Sequence, residues 1–444
     1  MTIPINPSHK LKKVLGVFFG VAVGVGGTIG VGILRAPGSI AALLPNATLI
    51  LVCWILIGLY ILLAASLYAE LTAMLPKAGG AYNYIKRAFG DYAGFINGWF
   101  DFLSNAIAPA YFCIVLSEYF ILLFPALNGY HSMIALSFLT LFTAINFPSV
   151  RSGSFTQRLT SSIKIALFLI LIVGCFLYNP AETSASTELI FKGGMFAALF
   201  GALQLIMGTY DGCMSVSFFA EEDNDPGKNI PRSYIIGALI IGIMYVLINA
   251  AILYVLPVEQ IANSTLAASD AAAVAFGEWS GPLMTAVAIF SLISILNAYM
   301  MIPARILFGL GRDRFFIKQS IKVNKGGTPY VSLLFCYVFA VFLILFTSFE
   351  MLFGLGALMM LIVTGFAFAS LIRLRKTEPD LHRPYRAFGY PFAPWLTLAI
   401  TFVLLIGFAL TDTRSTYIVL TIIFISFICY HFFIKKRNPA SNDE

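Results

Sequence analysis

The 444 residues are 59% hydrophobic and only 11% charged, with a mean hydropathy of +0.88 and a formal net charge of +7. Soluble chains carry about 45–50% apolar and about 25% charged residues, so this chain has too little charge to hydrate a water-soluble fold of its size. A soluble enzyme, a nucleic-acid-binding domain and a disordered scaffold are excluded, and the lipid bilayer becomes the natural solvent.

In chain order, residues 1–13 are polar and basic and read as a cytoplasmic segment. The apolar run behind them is too long for a cleaved signal peptide and reads as a retained first span. A membrane helix needs about 20 mostly apolar residues. Twelve stretches qualify: 14–44, 47–75, 90–124, 131–149, 153–178, 195–220, 233–256, 281–310, 330–347, 350–373, 391–410 and 415–434, with 435–444 left as a tail. The longest polar connection, 257–280, has room for a small cap of helix and no catalytic domain. With the N-terminus inside, 23 of the 28 Lys and Arg fall on cytoplasmic segments and only Lys192 and Arg414 fall outside. That asymmetry orients the chain with both termini in the cytoplasm.

Arg35, Lys164 and Arg305 remain within spans, where a charge at the helix centre costs at least about 2.5 kcal/mol on the insertion scale. Asp101 and Glu118 also lie deep in the third span, whereas Glu70, Glu221 and Glu222 stand near cytoplasmic ends, within reach of basic loops. The six cysteines lie in apolar runs without a CxxC pair, and the four histidines are scattered. No disulfide framework, metal site or cofactor is expected.

Two spans carry breaks. In the first, Gly24, Gly26, Gly27, Gly30 and Gly32 precede Pro37, a poor continuous helix at about 1 kcal/mol per glycine relative to alanine. In the sixth, Gly208-Thr209-Tyr210-Asp211-Gly212 puts an aspartate between glycines at mid-membrane, about 180 residues later. Paired interrupted helices in two halves point to a secondary transporter with inverted repeats. A break frees N–H groups at the start of one half-helix, which suit a carboxylate, and C=O groups at the end of the other, which suit an ammonium or a cation. A zwitterionic amino acid offers both charges. Irregular backbone at this depth survives only around a cavity or within protein.

Gly27-Thr-Ile-Gly30-Val-Gly32-Ile-Leu34 resembles the GSGIF break of the amino acid–polyamine–organocation superfamily. Tyr210-Asp211-Gly212 with Glu221-Glu222-Asp-Asn-Asp-Pro226-Gly-Lys228-Asn229-Ile230-Pro231 is similar to its sixth-helix signature. Tyr68-Ala-Glu70-Leu and Pro76-Lys-Ala-Gly79-Gly80-Ala-Tyr82 resemble the second-to-third-helix connection, and Arg312-Asp313 and Arg383-Pro384-Tyr385 later cytoplasmic loops. The nearest likeness is to bacterial relatives of the L-type amino acid exchangers.

The resemblance implies an all-α integral membrane protein of 12 transmembrane helices. Its LeuT-like 5+5 inverted repeat has broken helices 1 and 6: 14–178 forms the first five-helix repeat, 195–373 the second, and 391–434 two accessory helices. By the same resemblance, the substrate-binding residues are Thr28, Ile29, Gly30, Val31, Gly32, Asn105, Gly208, Thr209 and Asp211. The backbone at Val31 and Gly32 would take the carboxylate, carbonyls near Thr28, Gly208 and Asp211 the ammonium, and Asn105 the side chain. Lys164, seven residues after Gln157, would stand where sodium sits in ion-coupled cousins and tie the fifth helix to the first break and the eighth helix. Tyr210 and Arg305 complete the coupling and gating set, Arg305 either as part of a cytoplasmic gate or as the structural partner of a carboxylate.

Two departures stand out. Val31 replaces the serine of GSGIF, and Gly208 stands where L-type exchangers carry an aromatic gate, leaving Phe200 or Tyr210 as substitutes. The expected activity is sodium-independent exchange of neutral L-amino acids by alternating access. The alternatives are a proton-coupled permease with Asp211 or Asp101 titrating, a cationic amino acid or polyamine antiporter, and an amino acid sensor. No nucleophile–base pair or metal constellation suggests an enzyme. The 124–131 loop has no cysteine for a covalent glycoprotein partner, so a self-sufficient transporter in a bacterial inner membrane is expected.

Overall fold

A computed structural model describes residues 11–435, apart from 12, 180–193, 211, 265 and 348. The described residues form helices and their connections, with one isolated parallel bridge between Leu15 and Asp223. The first expected span divides into α1 (Val17–Thr28) and α2 (Val31–Leu43), followed by α3 (Ala47–Met74), a short α4 (Tyr82–Phe89) and α5 (Asp91–Leu123). Then come α6 (His131–Asn146), α7 (Val150–Leu177) and α8 (Met195–Thr209), which gives way to a 310 helix at Cys213–Glu222. Beyond them lie α9 (Pro226–Val255), the caps α10 (Val258–Ala262) and α11 (Ala267–Phe276), α12 (Ser280–Arg312) and α13 (Tyr330–Phe346). The chain continues through α14 (Phe349–Thr377), α15 (Phe392–Thr411) and α16 (Thr413–Cys429).

Among the described residues, eight helices are long and apolar enough to cross a membrane. The other four expected spans fall on shorter pieces: the divided first and sixth, α6 with 16 residues and α13 with 17. The polar 257–280 connection is capped by α10 and α11. α9 starts seven residues before the apolar run, because Pro226 sits in its first turn, where the missing N–H costs nothing. Asn46 and Asp412 cap α3 and α16 by accepting the Leu49 and Ser415 N–H groups at 2.9 and 3.1 Å.

Polarity is arranged inside-out. Val338, Phe342 and Phe346 on α13 and Leu420 and Phe424 on α16 are exposed, while Glu70, Gln157, Lys164, Asn297 and Arg305 are buried. That is the distribution a hydrocarbon solvent requires. α3 packs along α9, α5 lies against α12 and α14, and α1 meets α7, α9 and α12, so the divided first span runs through the centre.

Charge gathers at the end that the Lys/Arg bias places inside. Glu70 accepts from Arg375 Nε at 2.8 Å and from the Ala387 N–H at 2.6 Å. Glu221 accepts from Arg312 and from the Ala78 N–H, both at 2.8 Å. Arg87 on α4 grips Glu378 through both carboxylate oxygens and holds that carboxyl below its ordinary value. Deepest is Glu222, fully buried and 2.9 Å from Arg305 Nε, with the Phe219 ring 5.1 Å from the guanidinium. The Glu222 carbonyl accepts from the Val14 and Leu15 N–H groups at 3.0 and 3.1 Å, strapping the start of the chain beneath the 310 helix.

Removing one partner of a buried pair strands the other and costs about 3–5 kcal/mol, whereas two apolar replacements are often neutral. Glu222→Ala is expected to lower the Tm in detergent sharply, and Glu222→Met with Arg305→Met to recover most of the loss. A single variant that melts with the native protein would show the pair to be solvated.

Candidate functional site

The glycine-rich stretch ends its helix where predicted. α1 closes at Thr28, Ile29 is extended (φ −72°, ψ 101°), and α2 restarts at Val31 with Gly30 as its N-cap. In the other half, α8 closes at Thr209, and Gly212 at φ +96° adopts a left-handed conformation that side chains resist. The two breaks touch main chain to main chain. A Cβ on Gly32 would stand 2.7 Å from the Thr209 Cα, and one on Gly212 would stand 2.5 Å from the Gly27 carbonyl oxygen. Glycine at these positions is therefore a steric requirement of the crossing.

The carbonyls released at the end of α1 have partners. Fully buried Lys164, on α7, donates to Gly26 O at 2.9 Å and to Ile29 O, and lies 3.5 Å from Ser291 O on α12. Its three N–H donors thus face three main-chain oxygens. Ser291 Oγ donates to Ile29 O at 3.1 Å. The Tyr245 hydroxyl, on α9, stands 2.8 Å from both Thr28 O and Thr209 O, one from each break. A second set of buried polar contacts lies further along α7. Ser161 Oγ donates to Ala22 O at 2.9 Å, Asn297 to Gln157 Oε1 at 3.0 Å, and Asn146 to Asn297 Oδ1 at 3.0 Å.

Beside the second break lies a cavity of about 40 Å3. Asn105 and Tyr210 line it, with Met207, Gly212, Asp101 and Ser217 among the other walls. Gly208 and Thr209 are buried at the end of α8, and Thr28, Ile29 and Gly30 are buried at the first break and are not among the residues that line the cavity. Asp211 and the side chain of Val31 lie outside the described residues. Of the two aromatics offered in place of Gly208, Phe200 packs against Gly407 on α15, away from the cavity. Tyr210 is buried against Tyr245 and Trp54, with ring centroids 4.8 and 6.1 Å away. Arg305 is not among the residues that line the cavity and pairs with Glu222.

Tyr245, Ser291 and Asn297 were missed by sequence reasoning. A signal existed in the eighth span, where Ser291, Ser294 and Asn297 recur every three residues and mark a polar stripe on an apolar helix. Tyr245 carried none, since a tyrosine in an apolar run gives no hint of what its hydroxyl meets.

The chain matches the amino acid permease family over residues 13–443. It is 28% identical over 417 residues to the serine/threonine exchanger SteT of Bacillus subtilis, covering 92% of this chain and 93% of that protein. It is 26% identical over 445 residues to the mouse b(0,+)-type amino acid transporter 1, covering 95% and 88%. The human large neutral amino acids transporter small subunit 2 matches at 28% over 407 residues, covering 85% and 72%. The chain therefore belongs to the amino acid permease family of the amino acid–polyamine–organocation superfamily, a membrane transporter related to the L-type exchangers and not an enzyme.

Proposed function

We propose that this permease is a sodium-independent exchanger of neutral L-amino acids working by alternating access. The observation that carries the reading is the Lys164 ammonium, lodged among the Gly26, Ile29 and Ser291 carbonyls. A fixed positive charge at the end of α1 does there what a bound metal cation would do: it neutralises the negative end of the helix dipole and ties α1 to α12.

In this reading the N-terminus of the 13-residue α2 takes the substrate carboxylate through its free N–H groups, at Val31 and Gly32. The ammonium goes to carbonyls at Thr28 and Gly208, with Tyr245 bridging the two breaks. Residues 14–178 and 195–373 act as the two repeats of a LeuT-like core and 391–434 as accessory helices. What supports this division is that the breaks fall in the first and sixth of the expected spans. The Lys/Arg bias supports cytoplasmic termini in a bacterial inner membrane. The cysteine-free 124–131 loop supports action without a covalently linked glycoprotein.

Lys164→Ala is expected to remain folded, as judged by gel filtration in detergent. Its exchange in vesicles should slow at least about tenfold, the scale of one lost charge-assisted hydrogen bond of about 1.5–3 kcal/mol. Exchange at the native rate would remove the coupling role. Uptake into vesicles preloaded with amino acid should persist when choline replaces external sodium and when a protonophore collapses the proton gradient. A large fall with choline would establish sodium coupling, and one with the protonophore a proton-driven permease.

A further inference from the structure

A second recess lies away from the breaks. It has a volume of about 390 Å3, within the roughly 300–1,000 Å3 of ligand-sized clefts. Its walls include Phe95 and Trp99 on α5, Ile425 and Cys429 on α16, and Phe315 just beyond α12. Ile434 closes one end, where the chain leaves α16 through a π turn at Tyr430–Ile434. Ser426 also lines the recess, but its O–H is committed to Ile423 O at 2.8 Å. Ile425 is half exposed, so the mouth faces the lipid. The walls suit hydrocarbon.

The rim is different. Phe315 and Ile434 each adjoin an exposed cation, Arg314 and Lys435, and the sequence runs on through Lys436 and Arg437. The carboxylates of Asp313 and Asp91 are engaged by Lys86 at 3.0 and 3.5 Å, and the same ammonium stands 5.0 Å from the Phe315 ring centroid. Arg314 and Lys435 hold no ion pair among the described residues.

Arg314 also occupies a position made for glycine. The α12 helix ends in a Schellman turn, in which the Arg314 N–H donates to Gly311 O at 3.2 Å and the Phe315 N–H to Leu310 O at 2.8 Å. Arg314 itself stands at φ +63°, a left-handed conformation that strains a residue with a β-carbon. Arg312 already sets a cation on the last turn of the helix, where the dipole favours one. A strained residue that persists points to a use for its side chain.

We propose that the recess seats an acyl chain of an anionic phospholipid, with the headgroup phosphate held by Arg314 and Lys435. A hydrocarbon slot beneath a rim of unpaired cations complements a lipid that joins a long apolar tail to a net negative head. A zwitterionic lipid brings the same tail without the net attraction. The bound lipid fastens α16 to α5 and to the end of α12. The orientation proposed above puts this seat in the inner leaflet, and the seat does not depend on what is transported.

The test uses the full-length protein in phosphatidylcholine vesicles that contain a minor share of phosphatidylglycerol. The acyl chains of one lipid or the other carry bromine, which quenches an indole on contact. The Trp99 signal is the difference between the native protein and Trp99→Phe. Trp395, an exposed indole 6.0 Å from the Lys376 ammonium, is the reference, read through Trp395→Phe. At equal shares, brominated phosphatidylglycerol should quench Trp99 as though enriched at least about fivefold over phosphatidylcholine, the factor equivalent to the roughly 1 kcal/mol of one basic residue near the surface. Trp395 should show a smaller preference. Arg314→Gly should melt no lower than the native protein, because the left-handed turn favours glycine, yet lose most of the preference at Trp99. Lys435→Gln should lose part of it. Equal quenching of Trp99 by the two lipids, the same preference at Trp395, or a preference unchanged in both variants would overturn the proposal. So would a Trp99 shielded from both brominated lipids in a protein that runs as a dimer, which would give the recess to a second copy of the chain. No arm reads exchange, so failure of the transport reading leaves this test intact.

Discussion

The ends of two interrupted helices meet near the centre of this bundle, Gly32 against Thr209 and Gly27 against Gly212. An unwound segment at membrane depth has carbonyl and amide groups that lipid cannot satisfy, so the crossing persists only because protein groups reach it from every side. Lys164 supplies protons from α7, Ser291 a hydroxyl from α12 and Tyr245 a hydroxyl from α9. Each belongs to a helix long enough to cross the bilayer, which makes the breaks the point where the long helices are fastened together.

The same economy explains where polarity is permitted. Lys164, Ser161, Gln157, Asn297 and Asn146 form a line that never leaves the protein interior, while the outer faces of α13 and α16 carry Val338, Phe342 and Phe424 to the lipid. The cavity beside Tyr210 is lined from α3, α5 and α14 as well as from the second break. Below it, Glu222–Arg305 and Glu221–Arg312 join the end of the 310 helix to α12, and Ala78 joins the α3–α4 turn to the same carboxylate. Parting the 310 helix from α12 at this end would break these pairs.

Membership of the amino acid permease family places this chemistry in amino acid transport. In this chain Gly208 precedes the second break, and the Tyr210 ring lies against Trp54 and Tyr245. The space beside the break is bounded by Met207, Met214 and Met360, by Asn105, and by the rings of Tyr60, Tyr68, Tyr210 and Phe218.

The membrane class, the long apolar helices and the positions of both breaks were legible in the sequence. They depend on local quantities: the length of an apolar run and the density of glycine in a helix. Lys164 was conspicuous for the same reason, as a charge in an apolar segment. Tertiary structure alone decided which carbonyls that ammonium meets, that Tyr245 bridges the breaks, that Arg305 pairs with Glu222 and that Phe200 faces α15. These are contacts between residues tens to hundreds of positions apart. They are set by how helices pack and rotate about their axes, which no local pattern encodes, because an apolar span in lipid looks much the same from every face until its neighbours are in place.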